Sequence, residues 1–262
     1  MIENIKTKVN LSEFRIRCSA LGQIMTDPKT KKAKDDGELS QTAKSFCQSW
    51  LKEQLYQRRQ TFASKYTEKG LTVEDDAIAY AAEQLGWGEV KKNTIRLRNK
   101  WIEGECDVLT DTHVHDIKSS WSEETFPLFE TKIPTAGYEW QVQGYMWLYE
   151  VEQASVTYCL MDMPIEMIDR EVRFKLGEYY SRKEYADFIT RFQYSHLGPE
   201  LRIKQFEFVA DPDLRDQIKE AHTKCLKYIN WLLFHNFLIN PIEAAFNERQ
   251  FSIWIPPNQT TK

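Results

Sequence analysis

Between 94 and 117 the hydrophobic period of the chain drops to two, whereas the segments before and after it repeat every three to four residues. TIRLRN alternates apolar and basic residues, WIEGECDVL follows, TDT makes a turn, and HVHDIK resumes the alternation. This pattern predicts an antiparallel meander. Within it, 101–118 reads as two short strands joined by a turn, with Asp107 on the first strand and Asp116 and Lys118 on the second. A meander set among helices confines the chain to an α/β (α+β mixed) class, with a central mixed β-sheet flanked by helices.

The flanking segments supply the layers. Residues 14–25 (FRIRCSALGQIM) read as an extended run leading into a short helix, with Ser19 as N-cap. DPKTKKAKDDG then carries Lys29, Lys31, Lys32 and Lys34, and reads either as a mobile charged loop or as an arm that touches phosphate. Ser40 starts a helix in which Ala43, Phe46, Cys47, Trp50, Leu51, Leu55 and Tyr56 keep the helical period. Gly70 breaks it, Thr72 with Asp75 forms a capping box for the next helix, and Gly86 ends that helix. Glu74, Asp75 and Asp76 in its first turn suit the helix dipole. After the meander, 119–137 contains two prolines and reads as a long loop, of a length often reserved for function. A helix over 138–150, strands over 154–162 and 169–175, a helix over 177–197 and a strand over 201–209 follow. Asp211 caps a long helix running to about 237, with Ile218, Ala221, Cys225, Ile229 and Leu232 on its buried face. The tail from Asn240 reads as partly ordered, and no internal repeat or low-complexity segment is found.

With 262 residues the chain can bury a sizeable core, and a single domain over 1–262 with a catalytic core at about 65–165 is expected. Hydrophobic residues make up 42% and charged residues 28%, as in ordinary globular proteins. No apolar run approaches the roughly 18 residues of a membrane span, and the N-terminal stretch lacks the apolar centre of a signal peptide, so a cytoplasmic protein without membrane contact is expected. The five cysteines are scattered and odd in number, which argues against a disulfide framework or a CxxC metal knuckle. A net charge of −4 argues against a basic coat for nucleic acid, but a local basic groove can coexist with an acidic exterior.

Asp116 and Lys118 are two apart, so on a strand their side chains share a face, and Ile117 turns to the core. Asp107 on the paired strand can lie opposite them. Two carboxylates so placed make an all-oxygen site suited to Mg²⁺ or Mn²⁺. Such an ion activates water and offsets phosphoryl charge, and a lysine beside it can orient the water. The competing reading is a solvent-facing hairpin with a cross-strand ion pair. Gly104, Glu74 at a preceding helix start, and Gln141 with Tyr145 one turn later on a following helix, weigh for the site. His113 and His115 share parity with Ile117 and turn away from Asp116, so they are set aside as ligands.

KGLTVEDDAI around Glu74, GECDVL around Asp107, HDIKSSW around Asp116 and Lys118, and YEWQVQGYMWLY around Gln141 together resemble the PD-(D/E)XK nuclease superfamily. Within it they resemble the lambda-exonuclease-like (YqaJ-type viral recombinase) family, over about 65–165. The resemblance implies a restriction-endonuclease-like core and a Mg²⁺- or Mn²⁺-dependent deoxyribonuclease. It implies that Asp107 and Asp116 hold the ion with Glu74 assisting, that Lys118 helps activate water, and that Gln141 orients Lys118, the water or the phosphate. Cys106 stands where the family has proline, and the second acid is Asp. The phosphate-binding arginine has only Arg15 and Arg17 as candidates, and RCSALGQI offers Ser19 as a contact to a DNA 5′ phosphate. Arg96 and Arg98 are available to backbone phosphates or form a solvated strand face, and Tyr145 is either a DNA contact or structural. The family relation further implies 5′→3′ digestion of double-stranded DNA ends in phage-type recombination or repair, a ring-shaped homotrimer, and a single-strand annealing protein as partner. Rival readings are a structure-specific endonuclease of the same superfamily and a non-catalytic DNA-binding module.

Overall fold

The computed structural model describes residues 9–59 and 64–238. The tail from Asn240 lies outside the described residues. In chain order the elements are β1 (Ile16–Arg17), α1 (Leu21–Ile24), α2 (Lys31–Asp35), α3 (Gln41–Tyr56), α4 (Lys65–Thr72), α5 (Glu74–Leu85), β2 (Leu97–Arg98), β3 (Ile102–Gly104), β4 (Val108–Leu109), β5 (His113–Ser119), α6 (Ala136–Tyr149), β6 (Gln153–Cys159), α7 (Ile165–Leu176), α8 (Arg182–Thr190), β7 (Ile203–Val209) and α9 (Pro212–Leu233). The chain divides into two compact units, one of Met1–Thr61, Arg98–Gly104 and Asp211–Lys262, the other of Phe62–Leu97 and Glu105–Ala210. The expected catalytic core falls in the second, except for 98–104. Among the described residues no helix is long and apolar enough to cross a membrane.

In the first unit β1 runs parallel to β3, with Ile16 opposite Ile102, and α3 packs on α9. Phe14 anchors it. Its ring meets Trp50 edge-on at 4.9 Å, and the His222 ring nitrogen bonds its carbonyl at 3.0 Å. Ser40 caps α3 by accepting from the Ala43 amide, and Asp211 caps α9 by accepting from the Asp213 amide, both as the sequence predicts. The buried stripe of α9 is Ile218, His222, Cys225, Tyr228, Ile229 and Leu233. It is rotated slightly from the predicted one, with His222 and Leu233 in place of Ala221 and Leu232. The lysine-rich segment differs from expectation: Thr30 accepts from the Ala33 amide and caps the short helix α2. Ser19 is not the N-cap of α1; that position is Ala20, and Ser19 sits exposed in the preceding 3-10 turn Cys18–Ala20.

The second unit holds a four-stranded mixed sheet of order β4-β5-β6-β7. β4 and β5 form an antiparallel hairpin, β5 and β6 run parallel with α6 in the crossover, and β7 returns antiparallel to β6. β5 and β6 are the inner strands, and β6 is buried from Ala154 to Cys159. On one face Val73, Ala77, Ile78 and Ala81 of the α5 region pack against Val108, Ile117 and Cys159. α6 packs on β5 and β6, and Gln141 of its buried run 141–146 reaches Asp116. Burying a side chain such as Ile117 is worth about 1.5–3 kcal/mol. A one-residue slip of β5 would exchange it with Asp116, so core packing fixes the register.

Several predicted boundaries move. α3 stops at Tyr56 with Gln57 left-handed (φ 52°), and Gly70 lies inside α4 instead of breaking a helix. Thr72 ends α4, and Val73 is the N-cap of α5 with no side-chain cap, so the predicted capping box is absent. Gly86 does end α5, at φ 68°. The meander contracts: TIRLRN contributes only β2, and the strand expected to carry Asp107 is interrupted at 105–107, leaving β3 and β4 in separate sheets. The strand expected over 169–175 is part of helix α7, because Met167, Ile168 and Val172 bury against Phe188 and Phe192 at helical spacing. The helix expected over 177–197 shortens to α8, capped by a Ser181–Glu184 box.

His115 is buried at 3% exposure, stacked on Trp87 at 3.9 Å and bonded to the Ser155 hydroxyl at 2.8 Å. Burial, helped by the charge of His113, pushes its pKa down to about 4. The unfolded chain takes up this proton near pH 6.5 while the fold refuses it, so stability is lost as pH falls from about 6.5 to 4. His115→Phe keeps a stacked ring and removes the titration. Urea unfolding at pH 7 and pH 5 should show the wild type losing about 2 kcal/mol more than this variant; equal losses would place the acid sensitivity elsewhere.

Candidate active site

The β4–β5 hairpin brings the predicted residues together. TDT forms its turn, closed by the Thr110 amide donating to the His113 carbonyl at 2.9 Å. Val108 pairs with His115, so Asp107, one residue before β4, falls across from Asp116. The Asp107 Oδ2 accepts from the Ile117 amide at 2.6 Å, and its carbonyl accepts from the Asn93 amide at 2.8 Å. Asp107 is therefore tied on both sides although it lies outside a strand.

Asp116 is 2% exposed. Its Oδ1 accepts from Gln141 Nε2 at 2.8 Å, and the same amide nitrogen donates to the Tyr145 hydroxyl at 3.0 Å. Its Oδ2 is buried and meets the Lys118 ammonium at 2.7 Å, with no other donor beside it. Lys118 Nζ also sits 4.6 Å from the centre of the Tyr138 ring. His113 and His115 stack on each other at 5.5 Å and lead away from this cluster, as strand parity predicts.

The electrostatics of the cluster follow from two carboxylates in a buried place. Burial, and then the charge of Asp116, push Asp107 up to about 7, against the opposing pull of the Ile117 amide and Lys118. Burial works against the Lys118 ammonium, but Asp116, and Asp107 behind it, outweigh burial and hold its pKa above the ordinary lysine value. A divalent cation fits here: the donors are carboxylate oxygens, one of them a buried oxygen met only by the Lys118 ammonium, and the two acids resist sharing the site unless positive charge joins them.

The remaining candidates are placed as follows. Glu74 opens α5, and its Oε2 is 2.5 Å from the Lys92 ammonium. Its charge acts on Asp107, but among the described residues no three His, Cys, Asp or Glu side chains converge to hold a metal. Tyr145 is 5% exposed and supports Gln141 from below. Arg96 is exposed, with Nε 3.6 Å from Glu105 Oε2. Ser19 and Arg98, both exposed, belong to the first unit, as do Arg15 and Arg17. Arg15 is engaged there, donating to the carbonyls of Asn99 at 2.8 Å and Ser12 at 3.2 Å. Two residues at the site were not singled out from the sequence: Tyr138, one turn before Gln141 in YEWQVQ, and Lys92, which no periodicity marks.

The chain is similar to a phage-related exonuclease from Haemophilus somnus 129PT, with 31% identity and a TM-score of 0.71, covering 85% of this chain and 96% of that one. It belongs to the phage-related exonuclease family. Its fold is also that of the alkaline exonuclease LHK-Exo from Laribacter hongkongensis, at 13% identity and a TM-score of 0.55 over 95% of this chain and 97% of that one. A second LHK-Exo structure, in complex with dAMP, matches at a TM-score of 0.52. No protein-family model and no curated protein sequence matches the chain. In this chain the acids and the lysine stand on the β4–β5 hairpin, with Gln141 supplied by the crossover helix.

Gln141→Leu would leave Asp116 Oδ1 buried without a donor, which costs about 1–3 kcal/mol of stability. In an Asp116→Ala background the same change should cost less than about 1 kcal/mol. Unfolding titrations of the four chains measure the difference; equal costs in both backgrounds would mean that the bond does not anchor the helix to the site.

Proposed function

We propose that the protein is a metal-dependent DNA exonuclease of the PD-(D/E)XK type, acting 5′→3′ on double-stranded ends in phage-type recombination or repair. The observation that carries the reading is the pair of adjacent carboxylates, half-buried Asp107 and buried Asp116, accompanied by Lys118 and Gln141 in a chain of the exonuclease family. DNA is the substrate on this reading, in keeping with the dAMP held by LHK-Exo. A homotrimer and a single-strand annealing partner belong to the same proposal, on the family resemblance of the motifs.

Asp107 and Asp116 would hold Mg²⁺ or Mn²⁺, and the ion would supply an acidified water and charge compensation at the phosphoryl oxygens. The chain's own groups do the rest. Gln141 occupies Asp116 Oδ1 and leaves Oδ2 toward the site. Lys118, held protonated by Asp116, is a poor proton acceptor; it serves as a fixed positive charge and hydrogen-bond donor to the water or the scissile phosphate. Tyr138 and Asp116 limit where that ammonium can go.

Digestion of end-labelled linear duplex, with and without a 5′ phosphate, alongside covalently closed circular DNA, tests the function. The linear duplex should be degraded from its 5′ ends only with Mg²⁺ or Mn²⁺ present, and the circle should persist. Cleavage of the circle at a comparable rate would favour the endonuclease reading. Lys118→Ala should bind duplex like the wild type and lose about 100-fold or more in rate, the size of effect expected of a transition-state donor. Undiminished degradation by that variant would remove the mechanism.

Metal binding should depend on pH. The cation must displace the proton on Asp107, whose pKa of about 7 leaves it largely protonated at pH 6. Mn²⁺ affinity measured by calorimetry should fall about tenfold per pH unit below 7 and level off above it. Asp107→Asn should abolish the slope; an identical slope in that variant would assign the proton to another group.

A further inference from the structure

Beside the two aspartates stand Glu74, which the motif resemblance assigns to assist the ion, and Lys92, which has no role in the site as described. Lys92 cannot drift far, since its backbone forms a bridge with Val108 and the next residue, Asn93, donates its amide to the Asp107 carbonyl at 2.8 Å. From that fixed base its ammonium meets Glu74 Oε2 at 2.5 Å. With Lys92 bridged to Val108, next to Asp107, and paired with Glu74, the ion pair lies at the rim of the carboxylate cluster. The side chains are 42% and 21% exposed for Lys92 and Glu74. An ion pair that open to water contributes only about 0.2–1 kcal/mol. A divalent cation beside two carboxylates attracts a third far more strongly than one hydrated ammonium can retain it.

We propose that Lys92 is a positioning residue that holds the Glu74 carboxylate in reserve and yields it to a divalent cation at Asp107 and Asp116. Lys92 thereby sets the affinity of the site for the ion, and the ammonium released is free to meet a DNA phosphate at the same rim. The helix does not oppose the exchange: α5 has no side-chain cap to break, and Asp75 and Asp76 in the same turn continue to complement its dipole when Glu74 turns away. The inference rests on Asp107 and Asp116 being cation ligands, and the test separates the two claims.

The experiment is a calorimetric titration of Mn²⁺ alone, without DNA, into the wild type, Lys92→Met, Glu74→Gln and the double variant, each checked for an unchanged melting temperature. Removing the competing ion pair should tighten Mn²⁺ binding by up to about fivefold in Lys92→Met. Glu74→Gln should weaken it severalfold, and in that background Lys92→Met should change it by less than about twofold. Equal affinity of wild type and Lys92→Met overturns the proposal while leaving the two-aspartate site intact. A tightening that persists in the Glu74→Gln background also overturns it, since the lysine then acts through its charge alone. Absence of Mn²⁺ binding by the folded wild type removes the site and this inference together.

Discussion

The hydrogen bond from the Ile117 amide to the Asp107 carboxylate, 2.6 Å long, is the contact on which the site depends. Asp107 lies where β3 has ended and β4 has not begun, so no ladder holds it. The amide of the residue between Asp116 and Lys118 does so instead. It fixes one carboxylate against the strand that carries the other, and it opposes the burial that drives a proton onto Asp107. The side chain of Ile117 meanwhile enters the core formed with α5. A single residue therefore joins the apolar packing that sets the register to the polar contact that assembles the acids. Slippage of β5 would undo both together.

Charge explains why the surrounding groups have the partners they do. Two adjacent carboxylates, one buried and one half-buried, are costly unless each finds donors or cations. Asp116 takes one amide from α6 and one ammonium from its own strand, and Asp107 takes a backbone amide. The second oxygen of Asp116 has the Lys118 ammonium as its partner and no amide or hydroxyl donor, in a place too buried for ordinary solvation. Such an arrangement is poor as a structural device, since Asp116 together with Gln141 and Lys118 could be replaced by apolar side chains of similar volume with little loss of stability. It is coherent as a cation site whose ligands are prepared before the ion arrives.

The face assignments of this site were legible in the sequence because strand parity is strict. Asp116 with Lys118, Ile117 inward and the histidines turned aside all follow from a period of two, and the TDT turn and the caps at Ser40, Gly86 and Asp211 follow from local chemistry. Gln141 stood out with Tyr145 on the following helix, but its role was legible only through the motif resemblance, since its buried amide looks like a misplaced polar residue until Asp116 is set against it. The failures share a cause. EVRFKL alternates like a strand, yet only Val172 of its three apolar residues is buried, and Phe174 is 84% exposed. The packing that decides between the two periods comes from Phe188 and Phe192, distant in sequence. Lys92 was missed for the same reason: its bridge to Val108 and its pairing with Glu74 exist only once the hairpin has formed.

Glu74 shows how one residue can satisfy two demands that look exclusive in sequence. At the first position of α5 it serves the helix dipole, and three acids in one turn are more than that role requires. At the rim of the hairpin it adds to the negative charge felt by Asp107. Were Glu74 the sole acid of the turn, drawing it toward the cluster would weaken the helix that packs Val73, Ala77 and Ile78 against Ile117. With Asp75 and Asp76 beside it, the dipole stays complemented whichever way Glu74 points. The redundancy uncouples the stability of α5 from the position of one carboxylate, which is the condition for that carboxylate to move while the core beneath the site stays fixed.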